Sequence, residues 1–415
     1  MHGRPFALSL SSALLALSLA GTDAQAQQAT PSPTPPRGTA AQAAATPAPI
    51  GYVELEDDER YELTNAFANI DWRTFGRPYP GAVTAIQEAQ QTGRLIRLDF
   101  SLNKFTGAKA ADIADTIRKW LAEKNIHFVV TDLPAGVLVD VAKAVKDLPI
   151  TLLNISAPDD NLRARDCQAN VLHIVPSYAM LNDGLAQYLV FKKWTNVLVL
   201  QGPAAEDERQ VKAFQASAKK FGVRVVETLP FLLSNDPRNR TETNVALMTA
   251  GKNYDVVYVA DSSNEFGRFV AYKTSLPRPI VGTSGLIPQV WHWTWDKDDA
   301  AQLQHRFEKN AMPRQMNGID FSAWVAVRSL YITMFRLKSP EYEPVKAQMT
   351  SEQAHLDSLK GKPMTFRPWD GQLRQQILLH TPDAVIAQAP FPQFLHQTND
   401  LDTLGVDKPE TQCRF

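Results

Sequence analysis

KAADIADTIRKWLAEKNIHFVVTDLPAGVLVDVAKAVKDLPITLLNI, residues 109 to 155, is the stretch on which the fold turns. Ile113, Ile117, Trp120 and Leu121 recur at the spacing of one helix face, so Lys109 to Lys124 reads as an amphipathic helix closed by Asn125. His127 to Thr131 is too short and too β-branched for a helix and reads as a buried strand. Ala135 to Lys146 is helical again, and Ile150 to Ile155 is a second apolar strand. Strands alternating with helices of this length predict a parallel sheet with crossover helices.

Working outward, Ile50 to Leu55 and Leu95 to Phe100 supply two earlier strands, and Val171 to Val175 a later one. Between them Asn161 to Gln168 is a polar connection, and Tyr178 to Lys193 is a long amphipathic helix. A second series follows. Val197 to Leu200 is a strand, and the next helix has Glu206, Asp207 and Glu208 in its first turn and Lys219 and Lys220 in its last. That order suits the helix dipole, with Gly222 as the C-terminal cap. Arg224 to Val226, Val256 to Ala260 and Pro279 to Val281 are further strands, with a helix near Thr241 to Ala250. Two series of similar length predict an α/β chain of two Rossmann-like lobes with parallel sheets and a hinge. Past Pro288, helices are expected over Asp298 to Lys309 and Gly318 to Leu337, and a hairpin turning at Asp370-Gly371.

The 415 residues suffice for two or three domain-sized units. Lobe 1 is expected over 50–176 plus about 290–345, lobe 2 over 177–289 plus about 360–390, and a C-terminal tail over 391–415. Arg4, the apolar run Phe6 to Ala20 and the small-x-small triplet Ala24-Gln25-Ala26 read as a cleaved signal peptide over 1–26. The run is too short for a membrane span, and Thr22 stands where a lipoprotein needs cysteine. Residues 27–49 are Ala- and Pro-rich and are expected to form a disordered linker. Cys167 and Cys413, the two cysteines, are expected to pair in the oxidising compartment that export implies.

With 43 basic and 44 acidic residues, the chain carries no charge footprint for nucleic acid or an anionic membrane. No nucleophile elbow, zinc-protease helix, P-loop or dinucleotide glycine motif occurs, so the chain does not read as an enzyme. Its eight histidines are scattered without a metal-binding pair, and no metal is expected. Asp298 and Asp299 are expected to cap the helix that follows them. Trp291, Trp293 and Trp295 alternate, which on a strand would put them on one face, as core or as a stacking surface.

Several stretches carry a resemblance. They are Ile50-Gly51-Tyr52-Val53-Glu54, Leu162-Arg163-Ala164-Arg165-Asp166-Cys167 running on to Val171-Leu172-His173, Tyr254-Asp255-Val256-Val257, and Leu276-Pro277-Arg278-Pro279. Phe366-Arg367-Pro368-Trp369-Asp370-Gly371-Gln372-Leu373-Arg374-Gln375, Phe394-Leu395-His396-Gln397, Leu401-Asp402-Thr403-Leu404-Gly405 and Pro409-Glu410-Thr411-Gln412-Cys413-Arg414 complete the set. The chain resembles the type I periplasmic solute-binding proteins of ABC transporters, in particular those associated with pyrroloquinoline-quinone-dependent alcohol dehydrogenase systems. The resemblance implies a receptor that passes a small molecule, with pyrroloquinoline quinone itself a candidate, to an ABC permease. A periplasmic sensor or cofactor chaperone of the same fold, and a branched-chain-amino-acid-type binding protein, are the alternatives.

In such a fold the ligand lies in the cleft beyond the carboxyl ends of the strands. The ends in lobe 1 are Asp57, Asp58 and Arg60, then Asp132, then Ser156 and Asp159; those in lobe 2 are Gln201, Asp261, Glu265 and Ser284. A tricarboxylate quinone would want cations and an aromatic plate, which singles out Arg60, Arg163, Arg165 and Trp291. An amino acid would instead use Ser156 for its carboxylate and Glu265 for its ammonium.

Overall fold

The computed structural model describes residues 44–61 and 76–414. The expected signal peptide, its cleavage site and linker residues 27–43 lie outside them. Lobe 1 comprises β1 (Thr46–Leu55), α1 (Tyr79–Gly93), β2 (Leu98–Gly107), α2 (Ala110–Lys124), β3 (Phe128–Asp132), α3 (Ala135–Ala144), β4 (Thr151–Asn154) and β5 (Val171–His173). Its sheet is parallel throughout, in the order β2-β1-β3-β4-β5. Helix α4 (Tyr178–Phe191) leads into lobe 2: β6 (Asn196–Gln201), α5 (Ala205–Phe221), β7 (Arg224–Pro230), α6 (Arg240–Thr243), α7 (Val245–Thr249), β8 (Val256–Ala260), α8 (Gly267–Lys273) and β9 (Ile280–Gly282). That sheet is parallel too, in the order β7-β6-β8-β9.

The return segments are β10 (Ile287–Gln289), α9 (Ala300–Ala311), α10 (Gly318–Leu337), α11 (Tyr342–Thr350), the hairpin β11 (Thr365–Phe366) and β12 (Leu373–Arg374), β13 (Ile377–His380) and β14 (Val385–Ala389). Helices α9 and α10 complete the core of lobe 1, whereas β13 and β14 bury Ile377, Leu379 and Ala389 with lobe 2. Each parallel sheet is covered on both faces. Tyr52, Phe100 and Val130 pack toward α1 and α10, while Val53, Val129 and Leu152 pack toward α2 and α3. In lobe 2, Val199 and Tyr258 join α4 and α5, and Leu198, Leu200 and Val257 join the opposite layer. This double burial is why the inner strands β3, β4, β6 and β8 are short, mostly apolar runs, whereas the edge strands β2 and β7 are mixed. Gly51 is small for a reason: a Cβ there would lie 2.9 Å from the Trp120 ring. Gly222 ends α5 at φ +76°, as its cap position predicts.

Several expectations need correction. β1 begins at Thr46, so the end of the supposed linker is an edge-paired strand beside β2. The second strand is displaced to 98–107, because Leu95 is 79% exposed in a turn and Arg97 has φ +58°. Asn244 interrupts the helix expected over 241–250 and caps its second half by accepting from Leu247 N–H. Asp299 precedes α9 at φ +66° and makes no side-chain cap. The tryptophans are not on a strand: Trp291 and Trp295 are buried in the core, and Trp293 faces outward. Residues 391–414 are no loose tail, since Phe391 and Leu404 belong to the core of lobe 2.

The chain passes between the lobes after β5, after β10 and after β12, and buried polar side chains tie these passages together. Arg163 donates to Gln372 Oε1 (2.8 Å) and to the carbonyls of Ala157, Asp159 and Val175. Gln375 donates to Ile174 O at 2.6 Å. Lys360, fully buried, donates to Val290 O (3.0 Å) and Gln376 O (2.8 Å), joining the second passage to the third. Cys167 and Cys413 form a disulfide with a Cα–Cα distance of 5.8 Å.

Candidate functional site

In both sheets the first strand of the series lies between the second and the third, so the crossovers depart to opposite sides at β1/β3 and at β6/β8. This is where an open α/β sheet leaves a crevice at its carboxyl edge. Polar side chains of this chain gather at both places.

At the lobe 1 edge, the turn after β1 carries Asp58, Arg60 and Tyr61, β3 ends in Asp132, and Ser156 follows β4. Arg60 Nε donates to Asp58 Oδ1 at 2.9 Å, and Nη2 to Asp58 Oδ2 at 2.5 Å and Asp132 Oδ1 at 3.1 Å. Its Nη1 donates to Ser156 Oγ (2.9 Å) and Ser156 O (3.2 Å), and Tyr61 Oη donates to Asp132 Oδ1 (2.8 Å). The guanidinium, 29% exposed, is therefore hydrogen-bonded on every nitrogen. Burial pushes the Asp132 carboxyl up, while Arg60 and Tyr61 pull it down. Asp132 Oδ2 and Glu54 Oε2 are buried with no hydrogen-bond partner among the described residues. Glu54 Oε1 takes Lys104 Nζ at 2.8 Å.

At the lobe 2 edge, Asp207 accepts from Ala204 N–H at 3.1 Å and from Ser262 N–H at 2.6 Å, welding the start of α5 to the end of β8. Burial raises its pKa against those hydrogen bonds. Asp261 accepts from the N–H groups of Asn264, Phe266 and Gly267, and so shapes the loop into α8. Ser284 Oγ donates to Asn264 Oδ1 at 2.8 Å. The edges meet where Arg209 Nε lies 3.2 Å from Asp159 Oδ1; within lobe 2, Tyr178 Oη of α4 donates to Glu206 Oε1 of α5 at 3.1 Å.

The structure thus brings together Arg60, Asp132 and Ser156 on one side, and places Gln201, Asp261 and Glu265 at the other sheet's edge. Asp159 is at the junction, already paired with Arg209. Four expected contacts are displaced. Asp57 is exposed, and its neighbour Asp58 makes the inward contacts. Arg163 is inside the hinge with its guanidinium donated to Gln372 and three carbonyls. Arg165, 71% exposed, pairs with Asp166 beside the disulfide. Trp291 stacks on Phe321 (4.4 Å between ring centres) within the lobe 1 core and offers no plate to a cleft. Sequence reading gave no role in the site to Tyr61, Asp207 or Arg209. The acidic first turn of α5 was visible, but its closure onto Ser262 joins positions too far apart in the chain to be read.

No family model and no curated protein matches the chain. Solved structures do. A branched-chain amino acid ABC transporter periplasmic ligand-binding protein from Burkholderia xenovorans LB400 aligns with TM-score 0.66 at 13% identity, covering 88% of this chain and 99% of that one. An ABC transporter solute-binding protein from R. palustris in complex with benzoate gives 0.60 at 12%, covering 89% and 99%. The leucine-, isoleucine-, valine-, threonine- and alanine-binding protein of Brucella ovis, in a closed conformation, gives 0.60 at 13%, covering 81% and 89%. At these identities the likeness establishes the fold: a two-lobed α/β architecture of the type I periplasmic binding protein kind. No helix among the described residues is long and apolar enough to cross a membrane.

Proposed function

We propose that the chain is an exported solute receptor that encloses a small molecule between its lobes and hands it, chemically unchanged, to an ABC permease. The observation that carries this reading is the pair of polar clusters at the carboxyl edges of the two sheets. Two doubly wound lobes meet across Asp159–Arg209, with Arg60, Asp132 and Ser156 at one carboxyl edge and Asp207 and Asp261 at the other. The architecture supports it, being shared with proteins described as ABC transporter binding proteins.

For the cargo, we propose a small zwitterion of the amino-acid type. The cations that would hold a tricarboxylate quinone are committed elsewhere. Arg60 is saturated by its own neighbours, Arg163 is part of the hinge, and Arg165 pairs outside the cleft with Asp166. Acceptors prevail at both edges, and the partnerless Asp132 Oδ2 suits an ammonium. The Ser156 hydroxyl accepts from Arg60 and also hydrogen-bonds Asp132, so it helps to place that carboxylate at the edge. The solved relatives' named ligands, benzoate and branched-chain amino acids, are carboxylates.

Calorimetric titration with leucine, valine, benzoate and pyrroloquinoline quinone tests the reading. Binding of leucine or valine, recovered intact afterwards, is the expected result. Heat from the quinone with silence from both amino acids would overturn the zwitterion assignment, and silence from all four would overturn the cargo class.

A further inference from the structure

The three interlobe passages are joined by a fourth connection, made by the C-terminus. Residues 403–405 are fixed on lobe 2. Gly405 N–H donates to Asp183 Oδ2 of α4 (2.7 Å), Lys220 of α5 donates to the carbonyls of Thr403 and Gly405 (3.0 Å each), and Leu404 is in the lobe 2 core. Gly405 (φ +83°) fits where a Cβ would strike Met180 at 2.7 Å. Nearby, Asp402 accepts from two buried arginines of the β11–β12 hairpin, Arg367 Nε (2.9 Å) and Arg374 Nε (2.7 Å). That hairpin belongs to lobe 1 through Phe366 and Leu373. The chain then runs past Val406, whose carbonyl accepts from Trp369 Nε1, makes a short turn at Lys408–Glu410, and reaches Cys413. Cys413 is bonded to Cys167, in the connection between β4 and β5 of lobe 1.

We infer that residues 402–413 are a strap across the hinge that sets how far the ligand-free lobes part, with the Cys167–Cys413 bond as its fastening. The segment touches neither crevice, so its effect is on the opening and not on the ligand. The lobe 1 hairpin also holds the carbonyls of Leu404 and Val406, through Arg367 Nη2 (2.6 Å) and Trp369 Nε1 (3.3 Å). Those hydrogen bonds can yield as the lobes part, whereas the covalent bond at Cys413 cannot. The eight steps from Gly405 to Cys413, about 28 Å when fully extended, set the outer limit once they have yielded. Holding the open state back shifts the protein toward closure, so an intact fastening gives tighter retention of whatever the cleft holds.

The test uses the full exported protein without ligand. Fluorescent labels are attached through non-canonical residues at Asp115 on α2 and Lys212 on α5, side chains 75% and 72% exposed. Single-molecule energy transfer is compared between the disulfide-bonded protein and the Cys167→Ser/Cys413→Ser variant. The expected result is a longer and broader interlobe distance in the variant. Superimposable distributions in a folded variant would overturn the strap. Should circular dichroism show the variant unfolded, a disulfide-bonded protein with a four-residue Gly-Ser insertion after Glu410 takes its place. A longer interlobe distance in that folded variant supports the strap, and an unchanged one overturns it. No solute enters the comparison, so its failure would leave the receptor reading untouched, and the calorimetric panel could fail while the strap stands.

Discussion

Replacing Lys360 with methionine should remove a dependence of stability on pH that runs opposite to ordinary alkaline weakening. The ammonium is fully buried at the hinge, donates to Val290 O and Gln376 O, and has no carboxylate partner among the described residues. Its one close charge-stabilising neighbour is the Phe321 ring, 5.1 Å away. Burial pulls its pKa down from 10.5 to about 7. Between those values the unfolded chain binds the proton that the folded one releases, so stability rises with pH across that window. At 1.36 kcal/mol per unit the full span is worth about 5 kcal/mol, and the part between pH 7 and 9.5 about 3 kcal/mol. The variant leaves two buried carbonyls unpaired, at about 1–3 kcal/mol each, but escapes the cost of burying a charge. Near pH 7 the two proteins should therefore be close in stability. Urea unfolding of both, with the disulfide intact, should show the wild type gaining about 3 kcal/mol on the variant from pH 7 to 9.5. A difference that stays level over that range would refute the assignment of Lys360 as a buried, unpaired amine.

Three further outcomes are expected. Arg163→Lys should destabilise by about 3 kcal/mol or more, because a point charge cannot reproduce the planar fork that reaches Gln372 and three carbonyls; chemical denaturation measures it. Asp132→Asn keeps the side chain's shape, so melting should move by no more than a few degrees while affinity for the bound amino acid drops about tenfold or more. Equal affinity in calorimetry would remove Asp132 from the site. Loss of the disulfide, which spans 246 residues, should cost at most about 5 kcal/mol in the chain-entropy model, seen as a lower urea midpoint for the double serine variant.

Those expectations draw on features of unequal visibility in the sequence. The strands Phe128–Asp132 and Val256–Ala260 were legible because both of their faces are covered, which leaves a β-branched run with turn residues around it. The charge order of α5 with Gly222 behind it was equally plain. Helix α1 was not, since its buried face is mostly alanine and glycine and shows little periodicity against the glutamines beside it. Which side chains lie at the sheet edges was legible; what each of them does was not. The carboxyl edges can be counted from strand ends, which is enough to put Arg60, Asp132 and Ser156 at the lobe 1 edge. What each side chain does depends on partners distant in the chain: Arg163 on Gln372, Trp291 on Phe321, Arg60 on Asp132 and Ser156. Arginine near a strand end looks the same in sequence whether it faces a ligand or holds a hinge. Burial separates the two, and burial is a tertiary property.

Capture between the two carboxyl edges is tested most directly by hydrogen exchange, read by mass spectrometry, with and without saturating leucine or valine. Slower exchange should arise together in the loops after β3 and β4 of lobe 1 and in those after β6 and β8 of lobe 2. Protection confined to one lobe, or to neither, would contradict enclosure of the solute between them.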